Sequence, residues 1–213
     1  MASTYQIIKN VTFVSPQNAA YRAYCREKNQ EKRINTGEKI YDPSADVTTW
    51  LELVVCNEFK NQLTTFPDNI LRWETLNSRN FVNRQYKQLD GVFNLKTDSI
   101  IVLEIKASQS KGSVSRGIKQ LADTRRILRT KYKSITSILV AADCRRLNEH
   151  FGHSDESTIT TMASNAGYVV ESDLENVSSI EEKMQYFYEL DASSVSRLVD
   201  TYGAPEVGED DYL

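Results

Sequence analysis

The sequence has few of the residues that act through sulfur or imidazole. Its 213 residues include three cysteines and two histidines, and no CxxC pair. The odd number and wide spacing of Cys25, Cys56 and Cys144 exclude a disulfide scaffold and a zinc finger, and they are typical of a reducing cytosol. His150 and His153 give poor support for a histidine-rich metal site or a Ser-His-Asp triad. Any metal ion is therefore expected to be held by carboxylates.

Long apolar runs are also missing. No stretch approaches the roughly 20 apolar residues that a membrane-spanning helix needs, and residues 1–6 lack the basic start and apolar run of a secretory signal. The composition, 40% hydrophobic and 26% charged, is that of a globular protein. We therefore expect one cytoplasmic domain over 1–203, with no membrane association, and an acidic flexible tail at 204–213.

Charge is unevenly distributed along the chain. The net charge is −3, but the tail alone carries four acids and no base, so residues 1–203 sum to +1. Residues 111–133 hold eight basic residues against Asp123 alone. Such a run is usually a solvated helix face, although a focused positive patch can also contact phosphates. For the tail, a solubilising role is favoured, and pairing with a second copy or a partner protein stays open.

Apolar periodicity predicts alternating helices and strands. The predicted strands are 5–14, 71–76, 81–93, 99–107, 135–142 and 167–170. The predicted helices follow Pro16, extend from Asp46 to a stop at Pro67, begin again at Ser113, and cover 158–166 and 178–200. This order predicts an α/β fold with a central mixed β-sheet flanked by helices.

The strands 81–93 and 99–107 carry the informative polar residues. A turn within 94–98 has its midpoint near Thr97, and Asp90 and Glu104 each lie seven residues from it. A symmetric hairpin therefore places the two acids side by side, and Lys106 shares the face of Glu104 because side chains alternate. Charges in so apolar a setting need compensation, and Mg²⁺ prefers carboxylate and water oxygens. An ordinary Asp–Lys–Glu ion-pair cluster is the alternative interpretation.

An acid on one strand followed by Glu-x-Lys on the next resembles the PD-(D/E)XK nuclease superfamily, which has the restriction-endonuclease-like fold. The resemblance covers about residues 46–142 and matches Asp90, Glu104 and Lys106. It implies an αβββαβ core, with an extra N-terminal strand and helix and a C-terminal helix. It also implies metal binding by the two acids and by the peptide carbonyl of Ile105. The implied activity is Mg²⁺-dependent phosphodiester hydrolysis, with Mn²⁺ as a substitute and a DNA endonuclease favoured over an RNA endonuclease.

Members of this superfamily often add an acid from the helix before the first strand, and both Glu52 and Glu58 qualify by position. Glu52 is preferred because apolar residues three, four and seven positions later continue its face. A solvent-exposed helix glutamate is the alternative for each. Asp68, in the literal Pro67-Asp68 pair, is too far along the chain from Glu104 to be its hairpin partner.

The basic helix supplies the remaining candidates. Gln120 matches a glutamine that many members place near the site, which makes it a predicted catalytic residue. The predicted nucleic-acid contacts are Lys111, Arg116, Lys119 and Arg126. Two other classes of function stay open: a non-catalytic nucleic-acid-binding or assembly module of the same fold, and an unrelated α/β interaction protein.

Overall fold

The computed structural model describes residues 7–36, 43–76, 81–174 and 177–205. The acidic part of the predicted tail, from Glu206 onward, lies outside the described residues. Among the described helices, none combines the length and the apolar character needed to cross a bilayer.

The elements follow one another as five helices and nine strands in the described ranges, with a short 3-10 helix at Val177–Ser179. The strands are β1 (Ile7–Val14), β2 (Thr64–Thr65), β3 (Ile70–Leu76), β4 (Val82–Gln88), β5 (Gly91–Lys96), β6 (Ser99–Lys106), β7 (Ser134–Ala142), β8 (Val169–Glu171) and β9 (Gln185–Leu190). The helices are α1 (Ala19–Thr36), α2 (Pro43–Gln62), α3 (Lys111–Leu128), α4 (Glu156–Asn165) and α5 (Ala192–Tyr202).

The region predicted as one domain comprises two compact units. The first consists of Met1–Tyr41 and Phe66–Leu89, and the second of Asp42–Thr65 and Asp90–Leu213. In the first unit, β1, β3 and β4 form an antiparallel sheet in the order β1-β3-β4. The buried ring of Tyr86 on β4 packs against Tyr21 and Tyr24 of α1, with ring centroids 5.6 and 5.1 Å apart.

The second unit is built on a six-stranded mixed sheet in the order β2-β5-β6-β7-β9-β8. The strands β2, β5 and β6 are antiparallel neighbours, whereas β6, β7, β9 and β8 run parallel. Helices α2 and α5 contribute to one hydrophobic core with the sheet face that carries Leu103 and Ile105. Helix α3 packs on β6 and β7. Gly117 lets it approach closely, since a Cβ there would lie 2.5 Å from Cδ1 of Leu139.

This architecture confirms the predicted α/β class with a mixed sheet and flanking helices, and it corrects the position of two strands. The predicted strand 81–93 is two strands in different sheets. Strand β4 ends at Gln88, β5 begins at Gly91, and Leu89 and Asp90 lie between them. Leu89 is held at the end of β4, where its N–H donates to the Asn69 carbonyl at 3.0 Å. The segment 71–76 is a strand, but it belongs to the three-stranded sheet.

The predicted closing helix over 178–200 is wrong in its first half. Residues Gln185–Leu190 form β9, a buried parallel strand between β7 and β8. The helix that follows begins at the N-cap Asp191, whose side chain accepts a hydrogen bond from the backbone N–H of Ser194 at 2.7 Å. The aromatic run in β9 favours a strand, and this preference outweighs the helical interpretation of residues 178–200.

Candidate active site

The β5–β6 hairpin has the register that the sequence predicts. Gly91 pairs with Leu103 and Val92 with Val102, and a bulge between Asn94 and Lys96 absorbs the asymmetry of the turn. Continuing this register by one residue places Asp90 opposite Glu104. Strand β5 begins only at Gly91, so Asp90 meets β6 through its side chain: its Oδ2 accepts a hydrogen bond from the backbone N–H of Ile105 at 2.6 Å.

The backbone of Ile105 lies beside the Asp90 carboxylate at the end of the β5–β6 hairpin. The N–H and C=O of a residue in an antiparallel ladder point to the same neighbouring strand. Because the N–H of Ile105 is directed at the Asp90 carboxylate, its carbonyl oxygen faces the same side of β6. The structure therefore brings together the predicted acid and the predicted carbonyl ligand.

Glu104 and Lys106 lie on one face of β6, two residues apart. The Glu104 side chain is 5% exposed and the Lys106 side chain 19% exposed. The Lys106 ammonium donates to Oε1 of Glu104. The ammonium of Lys106 thus pairs with a nearly buried carboxylate, and the charge of Asp90 adds a further negative group to the same cluster.

The two candidate helix acids occupy different places on α2. Glu52 is half-buried within electrostatic range of the cluster: burial raises its pKa, Lys106 opposes that rise, and Glu104 adds to it. Glu58 instead accepts a hydrogen bond from the Tyr202 hydroxyl at 2.5 Å. The structure brings Glu52 to Asp90, Glu104 and Lys106, and it does not bring Glu58 there.

The charges of this cluster do not balance. Three carboxylates (Glu52, Asp90 and Glu104) face the one ammonium of Lys106. Burial, and then repulsion from Glu104, raise the pKa of Asp90 to about 7, although the hydrogen bond from Ile105 and the charge of Lys106 both act against the rise. At neutral pH the site therefore has surplus negative charge that a cation would relieve.

The donor set fits Mg²⁺. Within the described ranges, no group of three or more His, Cys, Asp or Glu side chains is arranged to hold a metal ion. Mg²⁺ does not need such a cage, because it usually keeps several waters and binds through one or two carboxylates. The carboxylates of Asp90 and Glu104, with the Ile105 carbonyl, are the set that meets this requirement.

The basic helix places some of its predicted residues beside this cluster and others farther away. Lys106, Arg116, Lys119, Gln120 and Asp123 line one cavity of about 450 Å³. Arg126 does not line this cavity. Its Nη2 lies 3.9 Å from Oδ1 of Asp123, a residue that lines the cavity. Lys111 is the exposed first residue of α3, and it is not part of this cavity.

Sequence reasoning missed the role of Cys56. Its thiol donates a hydrogen bond to the backbone carbonyl of Asp90 at 3.1 Å and so connects α2 to the start of the hairpin. Burial raises the pKa of this thiol to about 12, which keeps it protonated as a donor. The available signal was its position, four residues after Glu52 on the same helix face.

Replacing Glu52 by Gln is expected to weaken Mn²⁺ binding by about tenfold, because a supporting carboxylate near the ligands is lost. Isothermal titration of the full chain with Mn²⁺ measures this change. Glu58→Gln is the matched control, since it alters the same residue type on the same helix at a carboxylate that contacts Tyr202. Equal affinities for the two variants would contradict the placement of Glu52 at the ion site.

We compared the chain with protein-family models, with curated proteins and with solved structures, and none of them matches it.

Proposed function

We propose that the chain is a Mg²⁺-dependent nuclease of the PD-(D/E)XK superfamily, with DNA as its favoured substrate. The observation that carries the proposal is the convergence of Asp90, Glu104 and Lys106 at the open end of the β5–β6 hairpin. The order α2, β2, β5, β6, α3, β7 supports it, because these elements follow the αβββαβ sequence and their strands are consecutive in the sheet.

The excess of carboxylates favours this proposal over a structural ion-pair cluster. A cluster that only stabilised the fold would balance its charges, and its acids would have lowered pKa values. Here the pKa of Asp90 rises to about 7, so the ionised carboxylate destabilises the folded chain at neutral pH. Such a cost is typical of a site that is maintained for binding or catalysis.

Asp90 and Glu104 would hold the Mg²⁺, together with the Ile105 carbonyl, and Glu52 would complete the negative site. A bound Mg²⁺ supplies Lewis-acid activation of the phosphodiester. The Ile105 N–H fixes the Asp90 carboxylate in position, and the Cys56 thiol fixes the backbone of the same residue. These contacts preorganise the acid before any ligand binds.

Lys106 contributes the cationic group. An ammonium has three N–H donors, and the contact with Glu104 uses one of them. The others can orient a water molecule or a phosphate oxygen and stabilise the negative charge that develops on it. With a side chain that is 19% exposed, Lys106 is accessible to a substrate while its position is fixed by Glu104.

Gln120, Arg116 and Lys119 would contact the substrate around this centre. They share the cavity of Lys106, so a phosphate bound to the lysine would lie among them. The amide of Gln120 can donate to or accept from a water or phosphate oxygen, and the two basic residues can neutralise neighbouring phosphates.

The proposal is tested by incubating the full chain with linear, closed circular and branched duplexes, single-stranded DNA and single-stranded RNA. Mg²⁺, Mn²⁺ or EDTA is present in parallel reactions. We expect cleavage of DNA with either ion and none with EDTA, and cleavage of the closed circle would identify an endonuclease. The Asp90→Asn variant controls for a contaminating nuclease. A chain that binds Mn²⁺ and nucleic acid but cuts none of these substrates would be a non-catalytic binding module instead.

A further inference from the structure

A second group of charged residues lies at the carboxyl ends of the parallel strands. Asp143 directly follows β7, Asp191 directly follows β9, and Glu171 ends β8. With Glu156 of α4 and Glu189 of β9, they form what we call the acidic wall. The wall lines a cavity of about 460 Å³ that also includes Asp173, His153 and Arg197. Asp143 is paired with Arg145 at 2.6 Å, so the wall is strongly, though not uniformly, negative.

The sheet register gives the position of this wall relative to the candidate site. Lys106 of β6 pairs with Ala141 of β7, and Ala141 pairs with Glu189 of β9. Paired residues of adjacent strands lie on the same sheet face, about 4.8 Å apart. The Cα atoms of Glu189 and Lys106 are therefore about 10 Å apart along one row of the sheet. Glu189 is the member of the acidic wall in that row.

Helix α3 carries positive charge on the flank that faces the site. Arg116 and Lys119 line the cavity of Lys106, and Arg126 lies beside Asp123 of the same cavity. We call Arg116, Lys119 and Arg126 the basic flank. They extend over ten residues of helix, or about 15 Å, a length over which basic side chains can contact successive phosphates of one nucleic-acid strand.

The opposite flank of α3 also has basic residues, Arg125 and Arg129, and neither lines the cavity of Lys106. Arg125 donates to Oε1 of Gln185 on β9. The nearby charge of Arg129 helps to lower the pKa of Arg125, after burial, which places Arg129 on the same flank. These residues provide internal controls, because they have the same charge on the same helix.

We infer that the chain binds a nucleic-acid strand on one side of the scissile phosphate only. The bound strand runs from Lys106 along the basic flank, and the acidic wall repels it on the other side. This inference rests on the proposed function for the identity of the polymer. Its physical basis is electrostatic. Neutralisation by the basic residues of α3 lowers the free energy of a bound phosphate, and nearby carboxylates raise it. The strand is thereby given one direction of exit from the site.

The experiment measures binding of the full chain to a fluorescein-labelled, single-stranded 12-nucleotide DNA, by anisotropy in EDTA at pH 8 over a range of salt concentrations. Loss of one phosphate contact lowers the slope of log K against log salt by about 0.7. We expect this loss for Arg126→Ala and an unchanged slope for Arg129→Ala. Equal losses for the two variants would overturn the inference.

The wall is tested in the same assay with the double variant Glu171→Gln, Glu189→Gln. Burial raises the pKa of Glu189 to about 7, and the assay is therefore run at pH 8, where the carboxylate of Glu189 is charged. We expect the double variant to bind the DNA about two- to fivefold more tightly at low salt, and an unchanged affinity would refute the wall. Because EDTA prevents cleavage, this result is independent of the nuclease assay. If the chain cuts DNA but Arg126→Ala and Arg129→Ala lower the salt slope equally, the proposed function stands and the inference fails.

Discussion

Replacing Lys106 by Met is expected to lower the turnover of nucleic-acid cleavage by about 10²- to 10³-fold, the usual effect of removing one electrostatic donor from a transition state. The variant also removes the ion pair between Lys106 and Glu104, whose side chain is 5% exposed. A fall of about 3–5 kcal/mol in the free energy of unfolding is therefore expected. Urea unfolding measures the second effect, and single-turnover cleavage of DNA measures the first.

Lys106→Arg separates these two effects. It keeps a positive charge beside Glu104, so the free energy of unfolding is expected to recover most of the loss. Turnover is expected to stay at least about tenfold below that of the wild type, because a planar guanidinium does not place its donors where the ammonium does. If Lys106→Met cut DNA at the wild-type rate, the chemistry would have to lie elsewhere in the chain.

Replacing Asp90 by Asn is expected to stabilise the chain in EDTA at pH 8 and to abolish the stabilisation by Mn²⁺. Asn retains an oxygen that can accept from the Ile105 N–H, so the charge is removed and the hydrogen bond is kept. The rise of the Asp90 pKa from 3.8 to about 7 corresponds to an upper bound of about 4 kcal/mol. Relaxation of the surroundings reduces the expected gain to about 1–3 kcal/mol.

The pH dependence of this gain follows from the direction of the shift. Between pH 4 and pH 7 the folded wild type binds more protons at Asp90 than the unfolded chain does, so its stability falls as the pH rises. The difference between Asp90→Asn and the wild type should thus be near zero at pH 4 and reach a plateau above pH 7. Urea unfolding at pH 4, 6 and 8, with EDTA or with Mn²⁺, measures it.

Asp68→Asn is the matched control for this experiment, because it removes the aspartate of the Pro67-Asp68 pair and leaves the hairpin unchanged. It is expected to show the same response to Mn²⁺ as the wild type. A marked loss of stability in Asp90→Asn at pH 8 would favour the structural ion-pair cluster over the ion site.

The cluster could be predicted because its geometry is local. Asp90 and Glu104 are separated by one turn, and the two-residue period of a strand fixes which side chains share a face. The bulge between Asn94 and Lys96 was not foreseen, yet it preserved the pairing because it falls in the turn. Glu52 could be chosen over Glu58 because the apolar residues that follow it define the inward face of α2.

The errors have a different origin, since they depend on long-range pairing. The residues 81–93 were predicted as one strand, although the Asp90-Gly91 pair within them is a turn signal. That signal does not show that the chain leaves one sheet for another, which depends on the pairing of β4 with β3 and of β5 with β6. Strand β9 was predicted as helix because its status as a strand depends on β7 and β8, which pair with it from distant parts of the sequence. The acidic wall depends on the same pairing, which brings the ends of three strands to one edge.

The break after Leu89 also has a consequence for how this architecture can vary. Residues 66–89 leave the α/β unit after β2 and return just before β5, and these two strands are antiparallel neighbours, with Thr65 opposite Phe93. Residues 66–89 thus leave the six-stranded sheet and return to it at two neighbouring strands. An insertion with closely spaced ends can change in length and composition while the host topology stays intact. Such a segment is where this architecture can diversify without rebuilding the end of the sheet that carries Asp90, Glu104 and Lys106.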